Sequence, residues 1–152
     1  MIYVIDASIA IKWFVSEGDQ QLALELTRFE DRLAAPDLIF GEVANVLRRK
    51  IRGGELTGTQ AEEAVQILLR TFPEAIPSAQ LLSDAFAIST QLDHSVYDML
   101  YLVCALRKED ARLVTADAKF ATKCAAAGYG KKILSLEAAY ASLSSGQEKD
   151  NG

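Results

Sequence analysis

Cysteine and histidine are scarce in this chain. Cys104, Cys124 and His94 are the only ones among 152 residues. They form no C-x-x-C pair and no Cys/His cluster, which removes the usual thiolate metal sites, and the two cysteines read as reduced core thiols. Long apolar runs are missing as well. No stretch reaches the roughly 18 residues of a membrane span, and Met1 leads straight into a strand-like segment instead of a basic region followed by an apolar one. No membrane association is expected, and a cytoplasmic location is. Positive charge is also in deficit, with 16 Lys and Arg against 21 Asp and Glu. The resulting net charge of −5 argues against indiscriminate binding of nucleic acid through the overall field. A local basic patch stays open.

What is present is one domain's worth of ordinary globular sequence, half apolar and about a quarter charged. Residues 1–143 read as that domain. The small, polar residues 144–152 read as a disordered tail. The chain then alternates. Ile2 to Ile5 is short, β-branched and aromatic, as suits a strand buried on both faces of a parallel sheet. Helical turns follow over Ile9 to Phe14 and a surface helix over Gln20 to Phe29. Arg32 to Ala35 is a short strand stopped by Pro36, with Asp37 placed to cap a helix from Leu38 to about Arg52.

Gly53-Gly54 closes that helix, and Thr59 to Glu62 has capping-box spacing for the next, which Pro73 stops. Glu74 to Ile76 is a weak strand candidate, followed by a helix from Ser78 to Leu92. Val96 to Leu106 is apolar nearly all round, the mark of a helix in the middle of the fold, and Asp98 is its only charge. Arg112 to Thr115, a helix over Ala118 to Ala127, Ile133-Leu134 and a closing helix from about Leu136 to Leu143 complete the series. No internal repeat is visible. This alternation predicts an α/β fold with a central parallel sheet of about five strands and helices on both faces.

Three acids stand alone among apolar neighbours: Asp6 after the first strand, Asp98 in the first turn of the central helix, and Asp117 after the strand at 112–115. In open α/β sheets the carboxyl ends of the strands carry the ligand site. If the first and fourth strands are adjacent, Glu42 joins these acids there. Four carboxylates repel one another, and hard divalent cations such as Mg²⁺ or Mn²⁺ are what all-oxygen clusters hold. A pair of such ions orients and acidifies water for phosphodiester cleavage.

The motifs Asp6-Ala7-Ser8 with Lys12-Trp13-Phe14, Glu42 to Leu47, Tyr97-Asp98-x-x-Tyr101 and Thr115-Ala116-Asp117-x-x-Phe120 occur in the order found in one family. Over residues 1 to about 140 the chain resembles PIN-domain ribonucleases, in particular the VapC-type toxins of toxin-antitoxin pairs. The resemblance implies a three-layer PIN-like fold and a metal-dependent endoribonuclease using metal-activated water. It assigns catalysis and one or two Mg²⁺ or Mn²⁺ ions to Asp6, Glu42, Asp98 and Asp117, with Ser8, Asn45 and Thr115 in support. Cleaved RNA would carry 5′-phosphate and 3′-hydroxyl ends. The implied partners are RNA, a cognate antitoxin protein and a second copy of the chain. Some members have a further acid near the fourth, where this chain has Ala118 and Lys119.

Other readings stand beside this one. Asp98 taken alone is explained equally well as a helix-start acid, although Ser95 is as good a cap. Arg49 and Arg52 share a helix with Glu42, and with Lys12 they are candidates to meet RNA phosphates; the plainer view makes them a solvated face. Trp13 and Phe14 read as core or interface. His94 is either a loop residue or a proton donor to the leaving oxygen. A phosphatase with Asp6 as nucleophile would want a second acid at position 8, where Ser8 stands. A PIN-like module that binds RNA or a partner with little turnover is the non-enzymatic alternative.

Overall fold

The computed structural model describes the backbone of residues 1–150 and the surroundings of side chains over residues 1–146. Its centre is β1 (Ile2–Ile5). Tyr3, Val4 and Ile5 are all essentially inaccessible. Successive side chains of a strand point to opposite faces, so burial of three in a row means that both faces of the sheet are covered. β1 pairs in parallel with β2 (Leu33–Ala34) on one side and β3 (Ala111–Val114) on the other, and β3 pairs in parallel with β4 (Ile133–Leu134). The sheet order is therefore β2-β1-β3-β4. The first and fourth strand segments of the sequence are neighbours, as the clustering of acids requires.

The sheet has four strands instead of about five. The segment at 74–76 contributes one bridge, Pro36 to Ile76, fixed by Ile76 N–H donating to Ala35 O and Asp37 N–H donating to Ile76 O. Pro73 and Pro77 flank it and deny the donors a longer ladder would need.

Around the sheet lie α1 (Ala7–Ala10), α2 (Gln20–Leu26), α3 (Leu38–Arg52), α4 (Gly58–Thr71), α5 (Ser78–Leu92), α6 (Val96–Leu106), α7 (Ala118–Ala126) and α8 (Leu136–Asp150). In α6 every residue from Met99 to Ala105 is buried, against β1, β3 and α5. The all-round apolar pattern thus does place this helix inside. α1 passes into a 3-10 turn over Ile11–Trp13, and Trp13 is core: its indole N–H donates to Ala23 O and its ring stacks on Phe72 at 6.0 Å. Cys104 and Cys124 are buried free thiols. Burial raises each pKa to about 11, which leaves both as inert core groups.

Several local expectations are corrected. The capping box that opens α4 is Thr57 with Gln60, so that helix starts at Gly58. α2 stops at Leu26, and a 3-10 segment with a kink at Phe29 continues to Arg32. The closing helix does not end near Leu143 but runs to Asp150; residues 151–152 lie outside the described residues. Asp37 makes no cap bond to α3, because its own backbone is already helical. Its carboxylate instead accepts from Ser78 N–H at 2.9 Å and Ser78 Oγ at 2.5 Å, 41 residues away at the start of α5.

Asp37→Ala is therefore expected to destabilise the protein by about 1 kcal/mol through loss of the α5 cap. Asp37→Asn should recover part of it, as measured by urea unfolding.

Candidate active site

Asp6 ends β1 and caps α1. Its extended backbone lets its Oδ1 accept from Ser8 N–H at 2.5 Å, while Oδ2 accepts from the Thr115 hydroxyl at 2.6 Å. The β1–β3 register pairs Ile5 with Val114, so the next residues along the two strands, Asp6 and Thr115, come side by side. Both are buried. The network continues: Asp117 N–H donates to Thr115 Oγ1 and Ala116 N–H donates to Ser8 Oγ. Ser8 and Thr115 thus stitch the end of β1 to the end of β3.

Burial pushes the Asp6 carboxyl above its ordinary pKa, the hydrogen bonds from Ser8 and Thr115 pull it back, and the nearby Asp98 charge adds to the rise. Glu42, half-buried one turn into α3, is raised too: desolvation dominates, the neighbouring Tyr101 hydroxyl pulls it back, and the charges of Asp6 and Asp98 reinforce the rise. These mutual effects place Asp6, Glu42 and Asp98 in one electrostatic neighbourhood, from β1, α3 and α6. Asp98 is not the α6 cap. Ser95 takes that role, accepting from Tyr97 N–H, so the Asp98 carboxylate is released for other contacts.

One of those contacts is His94, whose Nε2 lies 2.6 Å from Asp98 Oδ2. A charged carboxylate only accepts, so Nε2 carries the proton. The imidazole stacks on Phe120 at 5.2 Å, and Phe120 N–H donates to Asp117 Oδ1. His94 is more than a loop residue: it ties Asp98 to the segment that carries Asp117.

Asp117 stands further out, exposed at the start of α7. It lines a cavity of about 400 Å³ with Asp19 and Glu137, two acids that sequence spacing gave no reason to place there. A second cavity, of about 270 Å³, is lined by Ser8, Glu42, Asn45 and Arg49. Asn45 also accepts from the Arg48 guanidinium at 3.4 Å. Arg52 lies exposed at the far end of α3 and does not line this cavity. Lys12 is engaged by Glu17 at 2.6 Å and Asp19 at 3.0 Å. Desolvation lowers its pKa, but those two carboxylates outweigh it and raise the net value, so Lys12 does not stand free for a phosphate. A larger surface concavity, about 750 Å³ along α4, has none of the four predicted acids in its lining.

The donor set suits a hard cation, being carboxylate throughout. Glu42 Oε1 is moreover buried without a hydrogen-bond partner. Among the described residues the acids do not converge into a ready-made metal cluster of three. The three aspartates are each turned to a partner, Asp6 to Ser8 and Thr115, Asp98 to His94 and Asp117 to the Phe120 amide, while Glu42 Oε1 has none.

A PIN domain model matches residues 3–125. The chain is 31% identical over 125 residues to Ribonuclease VapC3 of Pyrobaculum aerophilum, covering 81% of this chain and 95% of that one. It is 29% identical over 120 residues to Ribonuclease VapC1 of Mycobacterium tuberculosis, covering 78% and 87%. The crystal structure of PAE2754 from Pyrobaculum aerophilum superposes with a TM-score of 0.72 at 20% identity, over 95% of this chain and 90% of that one, and shares its fold.

The raised pKa values of Asp6 and Glu42 set a pH dependence for the metal-free protein. A carboxyl that holds its proton more tightly folded than unfolded favours folding at low pH, and the benefit disappears as pH rises through the folded pKa. Asp6→Asn is expected to gain stability relative to wild type as pH rises above about 4, the unfolded carboxylate value. Urea unfolding of the two proteins from pH 4 to 8 checks it; a difference that does not grow with pH contradicts it.

Proposed function

The chain belongs to the PIN-domain family, and on that premise we propose that it is a metal-dependent endoribonuclease, the toxin of a toxin-antitoxin pair. The observation that carries this reading is the gathering of Asp6, Glu42 and Asp98 from β1, α3 and α6 into one electrostatic neighbourhood, with Asp117 joined to Asp6 through Thr115. Relatives named as ribonucleases support it. Asp6, Glu42, Asp98 and Asp117 are the residues that would hold Mg²⁺ or Mn²⁺. Bound there, such an ion neutralises charge on the scissile phosphate and acidifies water.

The chain's own groups do the rest. Ser8 N–H and the Thr115 hydroxyl hold Asp6 in one orientation, which removes the cost of ordering it during the reaction. Asn45 and Arg49 line the cavity that includes Glu42 and would receive a phosphate of the RNA strand. Arg52 extends the same helix outward and serves the strand at longer range. The partners follow from the same reading: an RNA substrate, a cognate antitoxin protein that blocks the acids, and a second copy of this chain, all in the cytoplasm. No helix among the described residues is long and apolar enough to cross a membrane.

The test is cleavage of a mixed cellular RNA pool by purified, antitoxin-free protein with Mg²⁺, Mn²⁺ or EDTA. Discrete fragments are expected, abolished by EDTA and reduced roughly 100-fold or more in Asp98→Asn, the scale of removing a group that stabilises transition-state charge. Equal behaviour of wild type and variant in every metal would replace this reading with a PIN-like binding module of little turnover.

Arg49→Ala is expected to weaken RNA binding uniformly across sequences and to lower the slope of log affinity against log salt by about one unit. Arg52→Ala should give a smaller change. Fluorescence-anisotropy titrations with catalytically silent Asp98→Asn protein at several salt concentrations measure both.

A further inference from the structure

Among the described residues, two buried side-chain oxygens have no hydrogen-bond partner, Glu42 Oε1 and the Tyr101 hydroxyl, and they belong to the same corner of the fold. Tyr101 is 2% exposed, one turn beyond Asp98 on α6, and its phenol is close enough to the Glu42 carboxyl of α3 to interact with it, yet neither the phenol oxygen nor Glu42 Oε1 has a well-formed hydrogen bond. A buried, unpaired hydroxyl lowers stability, and phenylalanine would fill the same volume without that penalty. The hydroxyl therefore needs a use in another state of the protein. A phenol is protonated at neutral pH and can donate one hydrogen bond. Glu42 supplies the matching acceptor.

We propose that Tyr101 is a positioning residue for Glu42: when a divalent cation occupies the acids, the phenol O–H donates to Glu42 Oε1 and leaves the other carboxylate oxygen to face the ion. This rests on the metal-binding reading given above. In the metal-free protein Glu42 Oε1 is buried and has no donor. With one carboxylate oxygen turned to a cation, the other would stay buried and would require a donor to fix it. Tyr101 is the donor at hand. Partners of this kind, which orient a ligand without touching the metal, tune affinity by about 10–100-fold.

The experiment is Mn²⁺ titration of the full chain, followed by electron paramagnetic resonance of the free ion, for wild type, Tyr101→Phe, Glu42→Gln and the double variant, with metal-free melting temperatures alongside. Tyr101→Phe is expected to melt higher without metal, because it removes an unpaired hydroxyl, and yet to bind Mn²⁺ about 10-fold more weakly. On the Glu42→Gln background it should cause no further loss. Unchanged Mn²⁺ affinity in Tyr101→Phe overturns the proposal, since a packing role alone would give that result, and so does an equal loss on both backgrounds. If wild type takes up no Mn²⁺, the proposal and the metal-dependent nuclease reading fall together; wild-type uptake with an unaffected Tyr101→Phe removes only the former.

Discussion

A carboxylate buried at the end of the central strand is the constraint around which this fold is arranged. Asp6 is almost completely withdrawn from water, and an unpaired charge in that setting would cost several kcal/mol. Two donors offset the cost, the Ser8 amide from the turn that starts α1 and the Thr115 hydroxyl from the end of β3. The second depends on the parallel register that sets Ile5 against Val114. A slip of one residue would turn Thr115 to the other face and leave Asp6 stranded. The register of the sheet and the chemistry of its edge are in this way one requirement.

The four acids are chemically alike in sequence and unlike in the fold. Asp6 is saturated with donors, Asp117 caps a helix, Asp98 leans on His94, and Glu42 is left with a buried oxygen unanswered. Burial raises the pKa of both Asp6 and Glu42. Such unequal surroundings are how a cluster of like charges is tolerated without an ion. They also leave the least satisfied member, Glu42, with the most to gain from one.

Most of the element order was legible in the chain, because apolar runs, prolines and caps are local signals. The same holds for the acids at strand ends and for the buried character of α6. What failed to show was whatever depends on partners distant in sequence. Asp37 looked like the cap of the helix beside it, yet its real partner is Ser78, which no local rule reveals. The strand expected at 74–76 had the right residues but was pinched between prolines to a single bridge. α8 outlasts its apolar residues, and its polar composition concealed this. Within the site, Tyr101 appeared in a motif without a role, and the four-residue spacing of His94 and Asp98 was visible while its meaning waited on the stacking against Phe120. Asp19 and Glu137 reach the neighbourhood of Asp117 only through folding.

The central place of the first strand has a consequence for synthesis. β1 leaves the ribosome first, but one of its neighbours begins at Ala111, and the hydroxyl that completes Asp6 comes 109 residues later. Until that late segment emerges, the early strand has only the two-residue β2 beside it, and the first and last of the four acids cannot meet. Contacts so distant along the chain form slowly and last. The acid-bearing edge therefore closes only when the sheet does, and no early fragment of the chain can assemble it.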